Sequence, residues 1–270
     1  MPDVQIYRRH IPEYVIPGRR LGRHIKHDPR SLRYQVPRLS GAVQSVKHAR
    51  QIPVLDQGSL GSCTGNACEG ALGTAPIYAT IPAGVPARPT GDAQRDEQQA
   101  VALYSAATSL DDYDGIYPPT DTGSDGLSVA KAAQKLGLIS GYRHATSLDA
   151  ALAALSVRPV ITGVSWYEGM DEPDTSGRVR VRGQVRGGHE FVLDEIDADR
   201  RLIGFTNSWS TAWGVGGRAY ISFDDFDRLL HEQGDVTDFV PLTEPAPQPT
   251  PDPDGRPGCL GKILPARLRG

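Results

Sequence analysis

At Pro159 the spacing of apolar residues changes, and no other feature of the chain restricts its fold as much. Upstream, four stretches carry helical signals. Residues 63–72 are small and follow a Gly-rich loop at 58–62, and residues 96–107 set Val101, Tyr104 and Ala107 on one side. Residues 127–136 end at the Gly137 stop, and 148–155 are capped by Ser147. Downstream, 159–166 (PVITGVSW), 189–196 (HEFVLDEI), 201–206 (RLIGFT) and 218–223 (RAYISF) are short, apolar or alternating, and separated by Gly and Asp. They read as antiparallel strands. Helices first and strands second predict an α+β fold of two lobes, with a cleft where they meet.

The chain has 270 residues, enough for one catalytic domain with extensions. Residues 1–45 lack any long periodic pattern and hold Pro12, Pro17, Pro29 and Pro37, which favours extended chain over helix. This stretch is basic, with Arg8, Arg9, Arg19, Arg20, Arg23, Lys26, Arg30 and Arg33, and it contains the apolar anchors Tyr7, Ile11, Tyr14, Val15, Ile16 and Tyr34. Such a peptide is expected to lie along its own protein and partly cover the cleft in cis, as a built-in pro-segment. Residues 46–241 form the expected catalytic domain, and 242–270 a proline-rich tail. A net charge of -3 gives no reason to expect nucleic acid as a partner, and no apolar run is long enough for a membrane span or a signal-peptide core. Cys63, Cys68 and Cys259 are too few for a disulfide framework, and Cys63 and Cys68 diverge on one helix. A reducing compartment suits them.

Cys63 stands where the Gly-rich loop turns into a helix, a setting in which the helix N-terminus stabilises a thiolate. A nucleophilic cysteine also needs a histidine held by a third group. Of the seven histidines, His10, His24, His27 and His48 lie in or beside the N-terminal extension, His144 reads as a loop residue, and His231 ends a polar helix. His189 alone opens an apolar strand, after Gly187 and Gly188, which permit close approach of another backbone. Asn207 follows the next strand, where its carbonyl can accept a hydrogen bond from the imidazole while the indole of Trp209 shields it.

Three segments, IPVLDQGSLGSCTGNA, GGHEFVLDEID and FTNSWSTAWGVGGRAYIS, resemble in order the nucleophile, histidine and asparagine motifs of the papain-like cysteine peptidases. The resemblance covers about residues 46–240. It implies a two-lobed papain-like fold, with Cys63 as nucleophile, His189 as base and acid, and Asn207 as the orienting residue. Gln57 would join the backbone N–H of Cys63 in an oxyanion hole. Gly61, Ser62, Gly187, Gly188, Glu190 and Trp209 would line the substrate, a peptide or protein. The reaction implied is acyl transfer and thioester hydrolysis, without metal or other cofactor.

The sequence departs from the family at several places. Leu60 stands where a disulfide cysteine is common, Thr64 where a tryptophan follows the nucleophile, Ser210 where glycine is frequent and Glu190 where the residue is small. The short, disulfide-free form resembles bacterial or phage members, so a cytoplasmic or virion-associated location is expected. A binding module with little turnover uses the same fold, and an acyl or amide transferase the same thioester. In the family the residue after the histidine lies near the pocket for the second side chain before the cut. Glu190 facing that pocket would favour Lys or Arg there, whereas on the other strand face it would be solvated.

Overall fold

The computed structural model, which describes residues 5–14, 16, 18–37, 41–244 and 246–247, is a mixed α+β fold. In chain order it runs β1 (Tyr7–Arg9), β2 (Ile25–His27), α1 (Pro29–Leu32), β3 (Val46–Lys47), α2 (Cys63–Leu72), α3 (Ile77–Thr80), α4 (Ala93–Thr108) and α5 (Gly126–Lys135). Then follow β4 (Gly141–Ala145), α6 (Leu148–Leu155), β5 (Val160–Tyr167), β6 (Val185–Asp197), β7 (Leu202–Thr206), β8 (Arg218–Ser222), α7 (Phe223–His231) and β9 (Asp235–Val240). Val15, Cys259 and nearly all of the 242–270 tail lie outside the described residues. Among the described residues no helix is long and apolar enough to cross a membrane.

Helix starts follow side-chain capping. Asp92, Asp125, Ser147 and Ser222 accept hydrogen bonds from backbone N–H groups of the first turns of α4, α5, α6 and α7. The helix α2 differs, because Ser62 makes no such cap and its hydroxyl donates to Asn66 Oδ1 at 2.8 Å. The first N–H groups of α2 therefore lack a side-chain cap.

Strands β3 to β9 build one antiparallel sheet in the order β4-β9-β5-β6-β7-β8, with β3 also paired to β6, and β1 and β2 pair with each other apart from it. Alternation along β5 and β6 feeds two apolar layers. Ile161 and Val192 pack with Ala67, Leu72, Leu103, Val129 and Phe239 against α2, α4 and α5. Val160, Phe191 and Leu193 join Trp166, Trp213, Ile221, Leu152 of α6 and Leu229 of α7. The helical layer and the sheet layer are the two lobes, and α2 lies along β6 where they meet.

Several expectations are corrected. His144 is in β4, buried, with its backbone joined to Tyr34 and Val36, not in a loop. The strand carrying His189 begins four residues earlier, at Val185, because Gly187 and Gly188 pair with Trp166 and Ser165 of β5. Within the stretch expected to be extended, Asp28 caps the one-turn α1, and Pro29 occupies its first position, where a missing N–H costs nothing.

Candidate active site

The loop before α2 is fixed from both lobes. The Gln57 N–H donates to the Ser208 carbonyl at 3.0 Å, and Ser210 donates back to Leu55. The Gly61 N–H donates to the Asp121 carboxylate at 3.0 Å, which also accepts from the Tyr104 hydroxyl at 2.6 Å. Cys63 follows, fully buried at the start of α2. Burial pushes its thiol well above the ordinary range, and the charges of Glu190 and Glu13 add to this; a hydrogen bond from the Glu190 backbone pulls the other way. That bond sets the thiol against the residue directly after His189. Cys63 and Cys68 are free thiols, and Cys68 belongs to the helical core.

His189 Nε2 and Asn207 Oδ1 are 2.7 Å apart, and Oδ1 also accepts the Ser208 N–H at 2.8 Å. With its carbonyl oxygen turned to the ring, Asn207 takes the Nε2 proton as partner, so the neutral imidazole keeps its lone pair on Nδ1. Nδ1 is buried without a hydrogen-bond partner. Trp209 stacks on the imidazole at 4.8 Å between ring centroids, and Trp166 meets it edge-on at 4.9 Å. Burial in this aromatic cage lowers the His189 pKa to about 4 against the raising effect of Asn207. The Gln57 amide donates to the Leu60 carbonyl at 2.8 Å, and its oxygen accepts from the Ser208 hydroxyl at 2.6 Å. One Gln57 N–H is thus committed to the loop, and a second can serve an oxyanion.

Residues 10–14, 16 and 18–24 run past this constellation. The N–H groups of Gly22 and Arg23 donate to the Gly188 carbonyl at 3.1 and 2.9 Å. On the opposite wall the Ser124 N–H donates to the Gly22 carbonyl and the His24 N–H to the Ser124 carbonyl. Contact is so close that a Cβ on Gly22 would strike the Gly61 backbone, and one on Gly187 would meet Leu21 Cδ1 at 2.7 Å. Acidic groups of the body receive the basic residues: Arg20 pairs with Asp121 at 2.7 Å, Arg19 with Glu172 at 2.6 Å, and Lys26 with Asp112 at 3.2 Å. The Arg19 guanidinium also lies over Trp209.

Arg23 enters a pocket between the lobes, its side chain wholly buried. It pairs with Asp235 and donates to the Gln233 carbonyl at 3.1 Å. Glu190, expected near the pocket for the second substrate side chain before the cut or in solvent, is fully buried beside Arg23. Burial first, and then the Asp235 charge, holds its carboxyl well above the usual range despite Arg23. Asp235, Ser124, Asp121 and Gly163 carried no sequence signal that singled them out. Among the described residues no group of three or more His, Cys, Asp or Glu could hold a metal ion.

No family model matches the sequence, and no curated protein is recognisably similar to it. Solved structures are. Xylellain, a cysteine protease from Xylella fastidiosa, is similar at a TM-score of 0.50 and 19% identity, over 84% of this chain and 100% of that one. Digestive procathepsin L 3 of Tenebrio molitor larval midgut is similar at a TM-score of 0.50 and 12% identity, over 78% of this chain and 76% of that one. The chain therefore has the two-lobed fold of the papain-like cysteine proteases.

Proposed function

We propose that the chain is a cysteine peptidase that hydrolyses peptide or isopeptide bonds through a thioester on Cys63. The observation that carries this is the His189–Asn207 hydrogen bond under Trp209, which leaves Nδ1 of the ring unpartnered on the strand that touches the Cys63 thiol. Nδ1 takes the thiol proton as the sulfur attacks the substrate carbonyl, while Asn207 holds the ring and receives the Nε2 proton's hydrogen bond. Developing charge on the carbonyl oxygen falls to the Cys63 N–H at the start of α2 and to the Gln57 amide. His189 then protonates the leaving amine, and water, deprotonated by His189, resolves the thioester.

Residues 10–24 act in this reading as a pro-segment. With Leu21 to Arg23 in the cleft, thiol and imidazole are dry, the first pushed up and the second down, so neither carries the charge that the pair needs for attack. Vacating the cleft readmits water and substrate. The test uses the chain lacking residues 1–24, a generic peptide substrate and a thiol-directed epoxide. The truncated chain should cleave faster than the parent and take the label on Cys63, and Cys63→Ala should lose about 10⁴-fold or more of the turnover. Undiminished cleavage by the alanine variant would refute the assignment. Release of the free acid instead of an amide-exchanged product assigns hydrolysis over transfer.

A further inference from the structure

We propose that the acidic pocket of Glu190 and Asp235 selects an arginine, and less well a lysine, of the substrate at one position close to the cut, the place that Arg23 occupies in the closed chain. This rests on the reading of the cleft between Gly61 and Gly188 as the peptide site.

Four observations support it. The pocket is a built cation site, since Nη2 of the buried Arg23 guanidinium meets both the Asp235 carboxylate and the Gln233 carbonyl. It has spare capacity, because both Glu190 oxygens are buried without a hydrogen-bond partner, as are Arg23 Nε and Nη1. Its volume is kept open by missing side chains: a Cβ on Gly163 would collide with Arg23 Nε and meet Glu190 Oε2 at 2.6 Å, and one on Gly126 would meet Glu190 Oε1 at 2.7 Å. Finally, Arg23 arrives on backbone that pairs with both walls, Gly188 on one side and Ser124 on the other, as an extended substrate would. When the segment leaves, the Asp235 carboxylate loses its cation next to the buried Glu190 carboxyl, and a substrate side chain of like charge restores it. An apolar side chain would leave Asp235 uncompensated, which is costly in a dry pocket.

The test uses the full chain with Arg23→Ala, which empties the pocket, and with Arg23→Gln should the alanine variant fail to fold. A peptide library randomised around the cut is profiled, then peptides differing only in Arg, Lys, Leu or Glu at the selected position. Arginine should exceed leucine by about 10- to 100-fold in kcat/KM, with lysine between, in keeping with one charge-assisted pair. Asp235→Asn or Glu190→Gln in the same background should flatten that ratio. Cleavage without a basic preference, or a preference that survives both substitutions, overturns the inference while leaving the peptidase reading intact. Should no peptide be cut although iodoacetamide alkylates Cys63, the peptidase reading falls, and the pocket is judged by binding alone. A short Arg peptide amide protecting Cys63 from alkylation at least about tenfold better than its Leu analogue then upholds it, and equal protection overturns it.

Discussion

His24 is the side chain through which acidity reaches the covered cleft. Its Nε2 lies 2.6 Å from the Thr122 carbonyl, and its ring lies between those of His10 and Tyr113, tilted to both, with centroids 4.5 Å away in each case. Burial, with His10 and Arg23 adding positive charge, lowers its pKa from 6.5 to about 4 while the segment is in place. Above about pH 6.5 neither the closed nor the released state binds the proton, and His24 leaves the balance unchanged. As the pH falls toward about 4, the released chain takes up a proton that the closed chain refuses, and closure loses up to about 3 kcal/mol. Hydrogen-exchange protection of the Gly22, Arg23 and His24 amides, corrected for intrinsic rates, should fall by about 10²-fold over that window. His24→Gln keeps a donor for Thr122 and should remove the share of the fall that belongs to His24, leaving that of His189, which the filled cleft also holds near 4; an identical pH profile in the variant would refute the role. Cys63, His189 and Asn207 could be proposed from the sequence because each stands at a local landmark, a Gly-rich loop or a strand start or end. Asp235 could not, because the arginine that explains it lies 212 positions away.

The helix α2 owes its position to what Gly65 lacks. A Cβ there would drive into the Ala100 carbonyl and meet the Tyr104 backbone nitrogen and Cβ at 2.8 Å, so α2 and α4 approach as closely as backbone allows. Gly65→Ala should cost about 1–3 kcal/mol in urea unfolding, since both neighbours are helix backbone and cannot yield like a side-chain tip. It should also shift the start of α2 and slow Cys63 chemistry. Gly84→Ala, in open space, should stay within about 0.5 kcal/mol and serves as the reference. The ends of α2 and α6 could be read because the signals are local: a Gly-rich loop before one, Ser147 before the other. The strands β4 and β9 could not. All six residues of β9 are buried, yet Asp235, Thr237 and Asp238 break any apolar pattern, and their partners are distant: Arg23, His144, and Arg143 with Arg158. A strand whose polar groups are satisfied by tertiary ion pairs looks like a loop in sequence.

At the scale of the whole molecule, the stretch proposed to cover the cleft is held at both of its ends. β1 and β2 pair with one another across it, Val36 and His144 join it to β4, and β3 adds to β6, the strand that carries His189. Closure is therefore unimolecular. A short tether of this kind sets an effective concentration on the order of millimolar, and substrate must compete against that whatever the dilution. The intact chain should show the same fraction of reactive Cys63 from about nanomolar to about ten micromolar protein. A chain cut once after Gly41 turns the same contacts into a bimolecular complex, and its reactivity per molecule should climb as it is diluted. Dilution curves that coincide for cut and intact chains would mean that the contacts alone, without the tether, keep the cleft filled. With the tether counted, a single backbone scission changes the order of the closing reaction and makes activity a readout of how crowded the protein is with copies of its own leader.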